Sequence, residues 1–278
     1  MTLIAGFLCP DGFVITADTE VTLGDLRIQE SKLIDSPGNM RAYRLVIGGA
    51  GDATYVDEAM QEIRDSVAAM RRPLIASVDK IIRKAIGRIH AENIFKYWEP
   101  GDDQRPRVYL ILGLRDVSGK RCLWRTEDQT VAKVSASVYV GSGTLIASHI
   151  GEKLFRYGLP TAAVHHIATH ILREAKAKGA SVGGNTDTWS IQTQGAQPFF
   201  DIDDKDKRFL WGIEDALLSA TRCALTRTDQ VSMNARLEFI RQRLTEVHRQ
   251  ARTPLPTSDS EWHTSEILRT DLHPFSDL

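Results

Sequence analysis

The feature that most constrains the fold of this chain is a pair of hairpin patterns close to its beginning. The apolar run Leu3–Leu8 is followed by the turn residues Pro10-Asp11-Gly12 and then by the β-branched and aromatic run Phe13–Ala17. This pattern predicts two antiparallel strands joined by a tight turn. After a second reversal at 23–25, the residues again favour short strands. The first residues of the chain are therefore expected to lie in a β-sheet.

Hydrophobic spacing along the next part of the chain alternates between strand and helix. Strand-like runs occur at 45–47, 107–114, 121–125, 134–140 and 188–193. Apolar residues recur every three or four positions at 56–70, 75–95, 145–156 and 162–177, which predicts helices, the first with Asp52 as its N-cap. The order of these elements favours antiparallel sheets with helix pairs packed on the outside. The predicted fold class is therefore α+β.

Composition changes near residue 203. A charged stretch over 203–208 precedes helical periodicity at 209–225 and 231–247. These residues predict a helical C-terminal extension over 203–252. The last segment, 253–278, is rich in Pro, Ser, Thr and Asp and is predicted to be irregular. The main domain is accordingly placed at residues 1–202.

The charge balance and the cysteines narrow the classes of function. Lys and Arg number 35 against 36 Asp and Glu, so a general electrostatic affinity for nucleic acid or for an anionic membrane is not expected. No apolar run is long enough to suggest a membrane span, and no secretory signal is recognisable. Three widely spaced cysteines, Cys9, Cys122 and Cys223, fit a reducing compartment. We therefore expect a cytoplasmic protein.

The two hairpins bring three chemically suited residues together. A first turn centred near Asp11 sets Thr2 opposite about Glu20, with Asp18 as its diagonal neighbour. A second turn centred near Asp25 sets Asp18 opposite Lys32. A hydroxyl, a carboxylate and an ammonium are thus predicted to meet.

The chemistry of this trio depends on Met1. If Met1 is removed, Thr2 carries a free α-amine beside its hydroxyl, which is one recognised way to activate an alcohol as a nucleophile. An unperturbed α-amine has a pKa of about 7.7–8.0, already close to working pH. A nearby Lys32 ammonium would disfavour its protonation, and Asp18 would hold Lys32 in place. On spacing alone, an ordinary surface Thr beside a cross-strand Asp–Lys pair is an equally good interpretation.

Four segments resemble a known family. The stretch TLIAGFLCPDGFVITADTEVTLGD followed by Lys32 is similar to the start of a proteasome β subunit or of the bacterial peptidase HslV. IGGAGD at 47–52 resembles the segment before the first helix of that family, and VGSGT at 140–144 resembles the one before its third helix. GASVGG at 179–184 is a weaker match. The resemblance covers about residues 2–194.

This resemblance implies an N-terminal nucleophile (Ntn) hydrolase with a four-layer αββα sandwich of two antiparallel sheets. It also implies a ring-shaped homo-oligomer that encloses its active sites and cleaves polypeptides, with no cofactor and no metal. The sequence does not identify an ATPase unfoldase partner.

The resemblance also implies roles for individual residues. Thr2 would be the nucleophile and, through its amine, the general base. Lys32 would tune that amine, and Asp18 would orient Lys32. The backbone N–H of Gly49 would stabilise the oxyanion, and Ser142 would hydrogen-bond the amine.

Departures from the family keep two other hypotheses open. Gly179 and Val182 stand where the family has an Asp and a Ser that support the nucleophile, unless Ser181 or Asp187 substitutes. The first alternative is therefore a catalytically inactive, proteasome-like scaffold or assembly protein. The second is an Ntn amidase that acts on a small molecule in an open pocket.

Two further patterns carry weaker signals. His165, His166 and His170 lie on a predicted helix and could hold a metal, but exposed helix residues are the favoured interpretation. The glycine run at 48–51 lacks the Lys-Ser/Thr of a P-loop and the spacing of a dinucleotide fingerprint. No cofactor or metal is therefore predicted.

Overall fold

The computed structural model describes residues 2–23, 26–35, 43–99, 102, 104–178, 182–192, 238, 241 and 242. The chain divides into two compact units, Met1–Asp203 and Asp204–Leu278. The predicted extension over 203–252 and the predicted tail over 253–278 fall outside the described residues, apart from Glu238, Arg241 and Gln242, which are helical.

The first sheet contains four antiparallel strands in the order β10-β1-β2-β11. They are β1 (Leu3–Cys9), β2 (Gly12–Asp18), β10 (Ser137–Gly141) and β11 (Thr186–Gln192). The β1–β2 hairpin follows directly from the predicted turn, because Cys9 pairs with Gly12 across Pro10 and Asp11. The first predicted hairpin is thus confirmed, and it occupies the centre of this sheet.

The second sheet contains five antiparallel strands in the order β5-β6-β7-β8-β9. They are β5 (Leu33–Asp35), β6 (Arg44–Gly51), β7 (Val108–Arg115), β8 (Arg121–Glu127) and β9 (Thr130–Val134). A separate two-stranded ribbon pairs β3 (Glu20–Leu23) with β4 (Leu26–Gln29). This ribbon is the second predicted hairpin.

Two helix pairs complete the described part of the first unit. They are α1 (Ala53–Ala68) with α2 (Ile75–Ile89), and α3 (Thr144–Leu154) with α4 (Thr161–Lys178). A π-helical turn, His90–Ile94, continues α2. Asp52 occupies the N-cap position of α1 as predicted, although its side chain makes no capping hydrogen bond.

Three apolar clusters define the order of the layers. The first buries α1 and α2 against the outer face of the five-stranded sheet, with Trp124 among its largest side chains. The second buries α3 and α4 against the outer face of the four-stranded sheet. The third fills the space between the two sheets. The fold is therefore the predicted α+β αββα sandwich, held together by burial of apolar surface in all three layers.

The middle layer becomes polar at one end, and this positions the candidate site. Side chains of a strand alternate between its two faces, so each strand sends every second residue into the space between the sheets. Deeper in the sandwich this face is mostly apolar, whereas at one end it carries Thr2, Arg107, Arg125, Glu127 and Ser142. The residues deeper on the same face of their strands are Ile4 in β1, Tyr109 and Ile111 in β7, Leu123 in β8, and Val138 and Val140 in β10. In β6, Val46 and Gly48 are followed on this face by Ala50. The sandwich thus opens at this end.

Three predictions about strand bounds and strand register differ from the structure. The segment 134–140 was expected to form one strand, but β9 ends at Val134 in one sheet and β10 begins at Ser137 in the other. The first hairpin is shifted by one residue: Ile4 pairs with Ala17, so continuing this register sets Thr2 opposite Thr19 instead of Glu20. The second is also shifted by one, because Glu20 pairs with Gln29.

The prediction that the α4 histidines are exposed was wrong for His165. Its side chain is buried, and its Nδ1 lies 2.9 Å from Ser190 Oγ on β11. Burial, with the neighbouring His166 as a second cause, lowers the pKa of His165 to about 4. This side chain therefore packs α4 onto the sheet as a neutral imidazole.

Candidate active site

Asp18 is the central polar residue at the open end of the sandwich. Its side chain is fully buried at the end of β2. One carboxylate oxygen accepts the Leu3 N–H at 2.8 Å and the Lys32 ammonium at 2.9 Å. The other accepts the Gly183 N–H at 3.2 Å. Asp18 thereby links the backbone next to Thr2 to the Lys32 side chain, as the sequence predicts.

Lys32 is held from two sides. Its Nζ donates to Asp18 and, at 2.6 Å, to the carbonyl oxygen of Glu20, and only 8% of its side chain is exposed. Burial lowers the pKa of Lys32 below its ordinary value, because desolvation of the ammonium outweighs its attraction to Asp18. A buried cation of this kind acts strongly on nearby titratable groups, since the surrounding medium screens it little.

Thr2 contacts the end of β10, the strand that pairs with β1 on the side away from β2. Its backbone nitrogen donates to Ser142 Oγ at 3.2 Å, and Ser142 Oγ in turn donates to the Thr2 carbonyl oxygen at 3.4 Å. Ser142 follows β10, whose last residue, Gly141, pairs with Leu3. The backbone N–H of Thr2 thus contacts Ser142, and the predicted hydrogen bond of Ser142 to a free Thr2 amine stays a prediction.

Gly49 differs from its predicted role. Its N–H donates to the Lys32 carbonyl oxygen at 3.3 Å, as part of the association of β5 with β6, so this N–H is already used within the sheet. A Cβ at Gly49 would overlap Val56 and Met60, which shows how closely α1 packs there. The structure therefore argues against Gly49 as the oxyanion donor and gives this residue a structural role.

Gly51 lies two residues further along β6 and lines the same cavity as Thr2. The Asp52 N–H donates to the Arg107 carbonyl, and since N–H directions alternate along a strand, the Gly51 N–H points away from β7. Gly51 has φ +126°, and a Cβ there would overlap the Arg107 carbonyl oxygen. Only glycine fits this position without strain.

A second glycine pair, missed as functional in the sequence, supports Asp18. The Gly183 N–H reaches Asp18, and the Gly183 carbonyl accepts the Glu20 N–H at 3.3 Å. Gly184 has φ +67° and lies against Thr19. In the sequence, the only sign of this contact is the pair of adjacent glycines, Gly183 and Gly184. Adjacent glycines are typical of a place where two backbone segments approach closely, here the backbone at Thr19 and Glu20. Val182 is buried in the cluster under α3 and α4, whereas the predicted substitute Ser181 and the departure at Gly179 lie outside the described residues.

A cavity of about 540 Å³ opens between the sheets beside Thr2. Its walls come from both sheets and include Gly51, Arg107, Arg125 and Ser142. Cavities of this size accept a small ligand or a few residues of a peptide. The candidate active site therefore has Thr2 beside a space for substrate, and a buried lysine–carboxylate pair bonded to the backbone of the next residue, Leu3.

Within the described part of the chain, no group of three or more His, Cys, Asp or Glu side chains is arranged to hold a metal. In the same part of the chain, no helix combines the length and the apolar character needed to span a bilayer. Cys9 and Cys122 are free and buried, and burial raises the pKa of Cys9 to about 12, so this thiol is unreactive.

Comparison of the sequence with known proteins finds a distant relative. No family model matches the chain. Proteasome subunit beta 1 from Thermococcus kodakarensis is 25% identical over 202 residues, which cover 70% of this chain and 90% of that protein. The chain is thus similar to a proteasome β subunit. This relationship concerns the proteasome-like family as a whole and no specific member of it.

Solved structures show the same fold. The Anbu (Gly-1) mutant from Hyphomicrobium sp. strain MC1 superposes with a TM-score of 0.65 at 16% identity, over 83% of this chain and 99% of that one. Anbu (ancestral beta-subunit) from Yersinia bercovieri gives 0.65 at 13%, over 78% and 95%. The helical assembly of the Anbu complex from Pseudomonas aeruginosa gives 0.62 at 14%, over 92% and 99%. These similarities concern the fold.

Proposed function

We propose that this protein is a threonine peptidase of the proteasome type, which cleaves peptide bonds with Thr2 after removal of Met1. The observation that carries the proposal is the position of Asp18, which binds the Leu3 N–H and the Lys32 ammonium through one buried oxygen. A buried carboxylate and lysine next to the second residue of a chain serve no evident packing purpose, since burying charges is costly. Activation of an N-terminal nucleophile accounts for that cost.

The first step of the reaction forms an ester. The Thr2 hydroxyl attacks the carbonyl carbon of the scissile peptide bond, and its proton passes to the Thr2 α-amine. The Lys32 ammonium keeps this amine unprotonated beforehand by charge repulsion. Negative charge develops on the substrate carbonyl oxygen, and we assign its stabilisation to the Gly51 N–H in place of that of Gly49.

The following steps release both products. The peptide C–N bond breaks, and the protonated amine of Thr2 gives its proton to the leaving nitrogen. Water then attacks the ester carbonyl, with the same amine accepting a proton from it. The new carboxylic acid leaves, and the Thr2 hydroxyl is restored.

We further propose that the protein works as a cytoplasmic homo-oligomer that encloses its active sites. One solved structure of this fold is described as a helical assembly, and proteasome β subunits are by name parts of a larger complex. A closed ring and a helical assembly are therefore both to be considered. An ATPase unfoldase would supply such a chamber with extended polypeptide.

Intact mass spectrometry tests the proposal. We expect purified protein to begin with Thr2 and to gain the mass of an electrophilic peptide inhibitor such as an epoxyketone, together with hydrolysis of fluorogenic peptides. Thr2→Ala should lose labelling and hydrolysis, whereas Thr22→Ala, an exposed threonine on β3, should keep both. Retained Met1 in protein that still hydrolyses peptides would contradict the mechanism.

The scaffold hypothesis predicts a different result in the same experiment. A non-catalytic assembly protein would show no adduct on Thr2, while its oligomeric state would be the same with and without Thr2→Ala. The presence or absence of the Thr2 adduct separates the two hypotheses, and size-exclusion chromatography with light scattering, run on both proteins, checks that assembly is unchanged.

A further inference from the structure

Two arginines line the cavity opposite Thr2. Arg107 immediately precedes β7, and Arg125 lies within β8. They continue the strand face that carries the buried residues Ile111 and Leu123 deeper in the sandwich. By strand alternation both side chains therefore face the other sheet, where Thr2 and Ser142 lie.

The lining of this cavity contains more basic than acidic side chains. Among the described residues that line it, Glu127 is the only acid, and it lies 3.6 Å from Arg125. The lining thus contains two guanidinium groups and one carboxylate. The Arg125 and Glu127 side chains are 49% and 57% exposed, so their pairing is weak and a ligand carboxylate can compete for the guanidinium.

The position of the Thr2 nitrogen tells which side of the substrate enters this cavity. In the proposed reaction the Thr2 amine must face the leaving nitrogen, because it protonates that atom. The Thr2 nitrogen donates to Ser142 Oγ, and Ser142 lines the same cavity as the two arginines. Lys32 lies on the other side of β1, next to β2, and is not part of this lining. The arginines therefore lie on the leaving-group side.

We propose that Arg107 and Arg125 bind a carboxylate of the substrate on the C-terminal side of the scissile bond. This inference rests on the proposed function, since it uses the proton transfer from Thr2 to define the leaving-group side. The carboxylate has two sources, an acidic side chain close to the cleaved bond or the C-terminal carboxylate of a short leaving group. Planar guanidinium groups recognise a carboxylate from either source.

Internally quenched peptides test the proposal. Three substrates share the same residues before the cleaved bond: one has a neutral leaving side ending in an amide, one adds a Glu there, and one keeps the neutral side but ends in a free carboxylate. We expect kcat/KM to be about tenfold higher for at least one carboxylate substrate than for the amide, which corresponds to ~1.4 kcal/mol. The substrate that gains identifies the source. Equal values for all three would overturn the proposal.

Variants assign the preference to the arginines. We expect the ratio of kcat/KM between the preferred and the amide substrate to fall to near one in Arg107→Gln/Arg125→Gln and to invert in Arg125→Glu. Arg64→Gln removes the same charge from the surface of α1, outside the cavity, and should keep the wild-type ratio. A ratio that survives the double variant would overturn the assignment.

A binding measurement separates this inference from the proposed function. Thr2→Ala protein is titrated with the same three peptides carrying a fluorophore, and anisotropy gives the dissociation constants. A carboxylate preference that disappears with Arg107→Gln/Arg125→Gln supports the inference even if wild-type protein hydrolyses nothing, in which case the proposed function fails alone. Hydrolysis without any preference in rate or binding means that the inference fails alone.

Discussion

Thr2 lies between two charged walls that differ in burial. The lysine wall consists of Lys32 and Asp18, whose charged atoms are 2.9 Å apart and whose side chains are 8% and 0% exposed. The arginine wall consists of Arg107, Arg125 and Glu127, and its Arg125–Glu127 contact is longer and largely exposed. Each wall thus contains a basic side chain paired with an acidic one.

The difference in burial separates two tasks. A buried ion pair is costly to form and costly to break, so it keeps a fixed geometry and a strong local field, which suits the adjustment of an amine pKa. Exposed arginines are hydrated, mobile and screened by salt, which suits reversible contact with many peptides. We therefore assign reactivity to the lysine wall and selectivity to the arginine wall.

The largest expected effect comes from removing the charge of Asp18. Asp18→Asn leaves the Lys32 ammonium buried without its counter-charge, and we expect the free energy of unfolding to fall by ~3–5 kcal/mol. The rate of Thr2 labelling by the electrophile should fall by at least about a hundredfold, since the amine loses its positioned neighbour. Urea unfolding and timed mass spectrometry measure the two effects.

Asp65→Asn provides the matched control. Asp65 is an exposed carboxylate on α1 that pairs with the neighbouring Arg64, so its loss should change the unfolding free energy by less than about 0.5 kcal/mol. If Asp18→Asn behaved like this control, the lysine wall would have no special role.

The pH dependence of stability gives a smaller effect. The folded-state pKa of Lys32 is lowered, mainly by burial, so between that value and the ordinary 10.5 the unfolded chain binds more protons than the folded one. Stability therefore rises with pH through this window and is lost as pH falls through the folded pKa. Asp18→Asn/Lys32→Met removes both charges and should flatten the rise.

Urea unfolding at pH 8 and pH 10 measures this change in slope. Comparison with wild type removes the contributions of the other lysines and tyrosines, which are common to both proteins. A variant with an undiminished slope would show that Lys32 titrates as it does in water.

The smallest effect concerns salt. Because Arg125 is half exposed, the carboxylate preference should shrink severalfold between 0.05 and 0.5 M NaCl, where the screening length falls from above to below about 10 Å. The rate of Thr2 labelling by an uncharged inhibitor should change little over the same range, since the lysine wall is buried. Equal salt dependence of the two quantities would remove the distinction between the walls.

Sequence reasoning found the lysine wall because turn residues determine which strands pair. Its prediction that Thr2, Asp18 and Lys32 converge tolerated an error of one residue in each hairpin, since long side chains and the strand ends absorb the shift. The prediction for Gly49 did not tolerate an error of this kind. Successive N–H groups of a strand point to opposite sides of it, so an error of one residue reverses the direction. Whether a given N–H is then hydrogen-bonded within the sheet depends on which strand lies on that side.

The arginine wall was not predictable from the sequence. Arg107 and Arg125 are separated by a β-hairpin and lie in a chain with many arginines, so nothing in their spacing distinguishes them. Their importance depends on how the two sheets stack, and that depends on the assignment of β9 and β10 to different sheets. The run at 134–140 gave no sign of this change, because strand-forming residues are present on both sides of it.

The change of sheet between β9 and β10 also limits how the protein can move. Residues 135 and 136 alone carry the chain from one layer to the next, and the Ala136 carbonyl accepts the Leu8 N–H at 2.7 Å, at the end of the sandwich opposite Thr2. A covalent tether this short holds the two sheets at a nearly constant separation at its end. The two layers therefore cannot slide far over one another at that end of the sandwich, whereas the end that carries Thr2 has no tether of this kind among the described residues.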